Sequence, residues 1–181
     1  MRVIAGSARR TILTAPEGLN TRPTSDRAKE SLFSILGEKI RDAHVLDIFC
    51  GSGAIGIEAL SRGAAKAVFV DNSAAAIKAT QANLSKTRLA GEVLQLNATK
   101  AIQKLSADSR AFDIIFLDPP YDTNLLTQTL EALSGFGLLD EGCLIIAETD
   151  SKESPQIPAA FAVESTRIYG RTKFIFFNTR A

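Results

Sequence analysis

Asp47-Ile48-Phe49-Cys50-Gly51-Ser52-Gly53-Ala54-Ile55-Gly56 leaves a short apolar run, turns on glycine and enters a segment of helical composition. Glycine lets a backbone turn tightly and lets a ligand come close to it. The start of the following helix adds N–H groups with no partner inside the helix. A strand–glycine–helix junction of this kind belongs to an open α/β sheet, where ligands bind beyond the carboxyl ends of the strands. The pattern around it repeats. Residues 44–49, 67–70, 93–96, 112–117 and 143–148 read as strands, and 54–62, 74–86, 99–105 and 125–133 as the helices between them. Alternating short apolar strands and helices predict βαβ units and a mostly parallel sheet covered on both faces. Right-handed crossovers make it doubly wound.

The flanks differ from this centre. Residues 161–169 and 172–178 surround Gly170-Arg171 as a hairpin, so the sheet is expected to end in antiparallel strands. Before the centre, Pro23-Thr24-Ser25-Asp26 marks a helix start. Ala28, Leu32, Ile35, Leu36 and Ile40 fall at helical spacing, which predicts an amphipathic helix over 25–40. Residues 1–23 have no long period and are punctuated by Gly6, Pro16, Gly18 and Pro23, so they read as an arm with a short hairpin. The expected division is a basic arm over 1–23 and one α/β domain over 24–181.

Length and composition fit that division. A chain of 181 residues is one domain, and 45% hydrophobic with 23% charged residues excludes a disordered chain, a collagen-like fibre and a disulfide scaffold. Cys50 and Cys143 stand far apart in apolar surroundings and read as free thiols of a reducing compartment, not as metal ligands. The longest stretch without a charged residue is ten residues, for example 48–57, too short for a membrane span. Arg9-Arg10 interrupts the start too early for a secretory signal, so a cytoplasmic protein is expected. The net charge is +1, yet residues 1–41 hold eight Lys/Arg against four Asp/Glu. A basic excess at that end suits contact with a polyanion.

Two stretches carry the chemistry. Gly51, Gly53 and Gly56 form the spacing of a dinucleotide fingerprint, and Asp71 stands twenty residues past Gly51, where a ribose-binding carboxylate belongs. Dinucleotides and S-adenosylmethionine both present ribose hydroxyls there, so Asp71 does not separate them. Asp47 separates them in part: a carboxylate beside the loop repels a pyrophosphate and attracts the ammonium of a methionine-type ligand. The alternative for Asp47 is a structural hydrogen-bond acceptor. The second stretch, Asp118-Pro119-Pro120-Tyr121, follows a strand directly, and its prolines fix φ. It suits methyl transfer to an exocyclic amine, whose lone pair is delocalised into the ring. The Asp118 carboxylate and the Pro119 carbonyl would accept hydrogen bonds from the amine and favour its reactive form, while Tyr121 would stack on the base. Alignment of nitrogen, methyl and sulfur is then the main task. His44, the single histidine, opens a strand, so no histidine base is expected. Cys50 reads as a small packed residue, and Phe174, Phe176 and Phe177 as strand packing.

Together the two motifs resemble class I methyltransferases acting on amino groups of bases. More narrowly, Arg2-Val3-Ile4-Ala5-Gly6, Arg22-Pro23-Thr24-Ser25-Asp26-Arg27, Glu30-Ser31-Leu32-Phe33, Leu46-Asp47-Ile48-Phe49-Cys50-Gly51-Ser52-Gly53 and Tyr169-Gly170 resemble the RsmD family, bacterial 16S ribosomal RNA guanine-N2 methyltransferases. The resemblance covers nearly the whole chain and implies a Rossmann-like methyltransferase fold with S-adenosylmethionine as cofactor. It implies cofactor contacts at Asp47, Phe49, Gly51, Gly53, Asp71 and Asp118. It further implies that Asn97 and Ala98 lie near the adenine and that residues 22–30 border the pocket, with Thr24 nearest. An Asp is common at the Asn97 position in the wider fold. The family often has a glycine followed by a basic residue after the first basic position of the arm, whereas this chain runs Arg9-Arg10-Thr11.

The implied substrate is a guanine in 16S rRNA, flipped out or unstacked so that its amine is reachable. Arg2, Arg9, Arg10 and Arg22, with Arg171 and Lys173 of the terminal hairpin, are candidate phosphate contacts. The chain has no separate RNA-binding domain, which favours a preshaped surface such as rRNA in an assembling small ribosomal subunit, met by a monomer. The competing readings are a DNA adenine or other RNA amino-methyltransferase, a nicotinamide-dependent oxidoreductase using the glycine loop, and a noncatalytic RNA chaperone.

Overall fold

The computed structural model describes residues 1–17, 25–120 and 124–179. After a helix α1 (Asp26–Leu36) and a 3-10 turn (Gly37–Ile40), the chain alternates β1 (His44–Ile48), α2 (Ala54–Ser61), β2 (Lys66–Asp71), α3 (Ala74–Thr87), β3 (Glu92–Gln95), α4 (Ala98–Ala107), β4 (Phe112–Leu117), α5 (Leu125–Gly135) and β5 (Leu139–Asp150). The hairpin strands β6 (Phe161–Tyr169) and β7 (Thr172–Thr179) close it. All seven strands form one sheet in the order β3-β2-β1-β4-β5-β7-β6. β3, β2, β1, β4 and β5 run parallel, while β7 is antiparallel to both β5 and β6. The hairpin is therefore docked with its second strand inside the sheet, and a register shift at Val163/Ser165 bends the edge strand β6.

Alternation along the strands sorts the side chains onto two faces. Val45, Phe69, Phe116, Ile146 and Phe174 pack with α1, α2 and the start of the chain. Leu46, Val70, Ile115, Ile145 and Ile175 pack with α4 and α5 on the other face. Ser25 caps α1, its side chain accepting from the Ala28 N–H. The stripe that α1 buries is Ala28, Lys29, Leu32, Phe33 and Leu36. Ile35, expected on that stripe, is 44% exposed and Phe33 takes the core position. Phe33 lies four residues past Lys29 and three before Leu36, so the buried line is rotated slightly from the one read off the aliphatics alone.

Residues 1–14 are bound to the domain. Arg2 and Ile12 form an antiparallel bridge, and Val3, Ala8 and Leu13 are buried. The Ser7 N–H donates to the Ser61 carbonyl at 2.8 Å and the Thr14 N–H to Asn83 Oδ1 at 2.8 Å. Gly6 is required by close approach: a Cβ there would lie 1.7 Å from the Ser61 oxygen. Arg10, at the position where the family often has glycine, takes φ 72. An arginine here thus adopts the left-handed turn that glycine favours.

Candidate active site

The glycine bend joins β1 to α2 and its three glycines have different jobs. A Cβ on Gly56 would lie 2.3 Å from the Phe69 ring, and one on Gly53 would lie 2.9 Å from Thr80. Gly56 lets α2 pack on the sheet, and Gly53 lets α3 approach the bend. A Cβ on Gly51 would meet nothing within 4 Å, while its φ of +54 is the left-handed region. Gly51 therefore shapes the backbone and leaves the space in front of it open. Phe49 just before the bend has φ 64, a conformation costly for an aromatic residue and of the kind that gathers at ligand sites.

Register places a row of acids at the carboxyl edge. Asp47 pairs with Phe69 and with Phe116, and Phe116 pairs with Ile146. Two residues beyond those partners stand Asp71, Asp118 and Glu148. By the two-residue period all four carboxylates project from the face that carries α1 and α2. Asp71 Oδ2 accepts from the Gly51 N–H at 3.0 Å and its Oδ1 from the Ser73 N–H at 2.9 Å, which locks the bend to the end of β2. Asp47, 2% exposed, accepts from the Gly56 N–H at 3.0 Å. The structural role held open for Asp47 is thus filled, in addition to any ligand contact. Burial pushes its pKa up to about 7; the Gly56 hydrogen bond opposes this and Asp71 adds to it.

Asp118 is partly buried at the end of β4, with its N–H donating to the Ile48 carbonyl at 3.3 Å. Burial raises its pKa well above the ordinary carboxylate value, and the charges of Glu148 and Asp47 raise it further. Glu148 is 1% exposed and accepts from Thr172 Oγ1 at 3.3 Å. Sequence reasoning missed it, although the apolar run 143–148 leads to an acid just as β2 and β4 lead to theirs. Pro119 is buried and Pro120 exposed. Cys50 is buried against Thr80, and burial holds its thiol protonated. No group of three metal-ligating side chains occurs among the described residues.

A cavity of about 430 Å³ opens beside this row, with Phe49, Asp71, Asn97, Ala98 and Gln128 in its wall. Asn97 caps α4, its side chain accepting from the Lys100 N–H at 2.9 Å. Its oxygen is thus engaged in the cap. A second cavity, about 380 Å³, lies between the start of α1 and the β6–β7 turn. Ser25 and Arg27, from the segment expected to border the cofactor, line this second cavity. Thr24, Arg22 and Tyr121 lie outside the described residues.

Among the described basic residues, Arg2 and Arg10 are neighbours on the N-terminal hairpin, where the Arg10 N–H donates to the Val3 carbonyl at 2.9 Å. Arg2 pairs with Asp26 at 3.0 Å, close to the first turn of α1. Arg9 and Arg10 follow the turn that packs on Ser61, the last residue of α2. The eight residues of α2 separate that point from the glycine bend by about 12 Å at 1.5 Å per residue.

The protein YlbH of Bacillus subtilis (strain 168) is 36% identical over 183 residues, covering 99% of this chain and 100% of its own. "Ribosomal RNA small subunit methyltransferase D" of Escherichia coli (strain K12) is 34% identical over 182 residues, covering 100% and 91%. The solved structure of YhhF from Escherichia coli, 32% identical, covers 100% of this chain and 98% of that one with a TM-score of 0.83. The family described as "Conserved hypothetical protein 95" matches residues 1–178. On the motifs, the sheet order and this end-to-end match, the chain belongs to that family, the RsmD family.

Proposed function

We propose that this protein transfers a methyl group from S-adenosylmethionine to the exocyclic N2 amine of a guanine in 16S ribosomal RNA. The observation that carries the reading is the acid row at the glycine bend. Asp47, Asp71 and Asp118 surround a bend whose open side is at Gly51, and a carboxylate environment favours a cationic ligand over a pyrophosphate. This disfavours the nicotinamide reading of the same glycines. The cavity of about 430 Å³ beside the row is large enough for a nucleoside. The donor set fits the group: Asp71 for ribose hydroxyls, Asn97 and Ala98 for the adenine, Asp47 and Asp118 toward the cationic end.

S-adenosylmethionine supplies an electrophilic methyl on a positive sulfur. Asp118 and the Pro119 carbonyl hold the acceptor amine with its lone pair turned toward that methyl. Receipt of that methyl would leave the amine positively charged. The amine then sheds a proton, and a carboxylate whose pKa is raised by burial is a better acceptor for it than an exposed one. The relatives' name supports an rRNA substrate. Recognition of rRNA within an assembling subunit, by a monomer in the cytoplasm, completes the reading. No helix among the described residues is long and apolar enough to cross a membrane.

The test is methyl transfer to 16S rRNA taken from cells lacking this protein, offered deproteinised and within small subunits, with the product nucleosides read by mass spectrometry. N2-methylguanosine should appear with the wild type. Asp118→Ala should remain folded, because a costly buried carboxylate is removed, and should lose transfer by at least about a thousandfold, roughly 4 kcal/mol. Methyl groups found on DNA adenine or on another RNA would overturn the acceptor. Nicotinamide binding without S-adenosylmethionine binding would overturn the whole reading.

A further inference from the structure

The second cavity shares no lining residue with the cavity beside Asp71. It is bounded by Ser25 and Arg27 at the start of α1 and by Ile168, Tyr169, Arg171 and Thr172 around the β6–β7 turn. The sheet order locates it. Strands run β2-β1-β4-β5-β7 across this edge, with the glycine bend after β1 and Asp118 after β4. β7 is antiparallel to β5, and Thr172 pairs with Asp150 at the end of β5. The turn that bounds the cavity therefore stands on the same edge as the acid row, on the far side of Asp118 from the cofactor cavity.

Contacts bridge the remaining gap. Thr172, in the cavity wall, donates from Oγ1 to Glu148. Glu148 follows Ala147, the pairing partner of Leu117, and so stands level with Asp118 on the neighbouring strand. The cavity is thus one hydrogen bond and one strand spacing from the residue that meets the acceptor amine. Its chemistry also differs from the first cavity: the charged side chains in its wall are two arginines. Arg171 is held in place by Asp150, whose Oδ2 accepts from Nε at 3.1 Å and from Nη2 at 2.9 Å. A guanidinium carries five N–H donors, and this pair uses two. A planar fork already oriented is suited to a phosphate. Tyr169, whose ring lies against Phe174, gives the same wall an aromatic surface on which an unstacked base or ribose can lie.

We propose that this cavity is the RNA site of the enzyme, in which Arg27 and Arg171 bind the phosphates on either side of the target nucleotide and the Tyr169 wall receives its ribose and base. The proposal rests on the methyl-transfer reading and adds where the RNA enters.

The experiment compares wild type with Arg27→Gln, Arg171→Gln and the double variant. It measures transfer to 16S rRNA at several salt concentrations and S-adenosylmethionine affinity by calorimetry. Arg41→Gln, at the opposite edge of the sheet, is the control. Each phosphate contact to single-stranded RNA contributes about 0.7 to the slope of log affinity against log salt. The double variant should raise the RNA KM at least about tenfold and lower that slope by about 1.4, with the cofactor Kd unchanged. A KM and slope equal to those of the control would overturn the proposal while wild-type activity keeps the methyl-transfer reading standing. A cofactor Kd weakened by the same factor as the KM would overturn it too, by assigning the arginines to the cofactor. An inactive wild type would bring down both.

Discussion

A carboxylate that is 2% exposed and holds a single backbone N–H is costly to ionise, and Asp47 is in that state at the foot of the glycine bend. Its pKa is pushed up to about 7 by burial. Between about pH 4 and 7 the folded, ligand-free protein therefore binds more of a proton at this site than the unfolded chain does. Stability from this group is lost as pH rises through that window. A cationic ligand has the opposite dependence, because it meets the ionised form. The Kd for S-adenosylmethionine should fall as pH rises from about 6 to 8, by at most about tenfold per unit below the pKa. Asp47→Asn keeps an acceptor for the Gly56 N–H and removes the charge. Scanning fluorimetry should show a higher Tm for the ligand-free variant near pH 8. Calorimetry should show a Kd weakened about tenfold and nearly flat with pH. A wild-type Kd that ignores pH would mean that the carboxylate does not meet the ligand's cation.

At the level of elements, the bend between β1 and α2 separates packing from binding. Gly56→Ala drives a methyl carbon into the Phe69 ring. Overpacking of that kind costs about 1–3 kcal/mol. Gly51→Ala has room but holds a left-handed φ, at about 1–2 kcal/mol. Urea denaturation should show the larger loss for Gly56→Ala, and calorimetry the larger loss of cofactor affinity for Gly51→Ala. The reverse order would exchange the two roles. These elements also show what a sequence discloses. Period and punctuation were enough to expect the five parallel strands, because each is a short apolar run ended by an acid or a turn. The lengths were less legible: β5 begins at Leu139, where Asp140 and Gly142 mask a strand whose pairing with β4 overrides local propensity. Asp47, Asp71 and Asp118 were legible because each stands beside a turn after an apolar run. Glu148 gave the same signal but no adjacent glycine or proline drew attention to it.

Across the whole molecule, the start of the chain is held by a charge cluster that composition hides, in which Glu58 meets Lys29 and, at 2.8 Å, Arg62. Glu58 and Lys29 are both fully buried, 3.2 Å apart. Glu58 also accepts from the Ile4 N–H at 2.7 Å and the Ala5 N–H at 3.0 Å, and Lys29 donates to the Arg2 carbonyl at 2.5 Å. Burial lowers the ammonium's pKa while Glu58 pulls it back up. One charge inside the otherwise apolar run 54–60, and one lysine four residues before Phe33, were the available signals; a helical wheel puts both inward. Glu58→Gln strands the ammonium, and breaking such a pair costs about 3–5 kcal/mol. Hydrogen exchange at Ile4 and Ala5 should speed up in that variant, and the RNA KM should rise through the loosened Arg2 while the cofactor Kd holds. Unchanged exchange at those amides would mean that the segment is anchored elsewhere.

The bend at Val163/Ser165 has a bearing on how copies of this protein behave beside one another. β6 is a nine-residue outer strand that exposes Val163 and Ile168, which is the profile of a template for intermolecular pairing. The kink interrupts its ladder, and Glu164 and Arg167 point outward along it. A neighbour approaching edge-on meets a twisted, charged rim on which a straight ribbon finds no register. The rim that resists edge-on pairing and one wall of the second cavity therefore belong to the same strand.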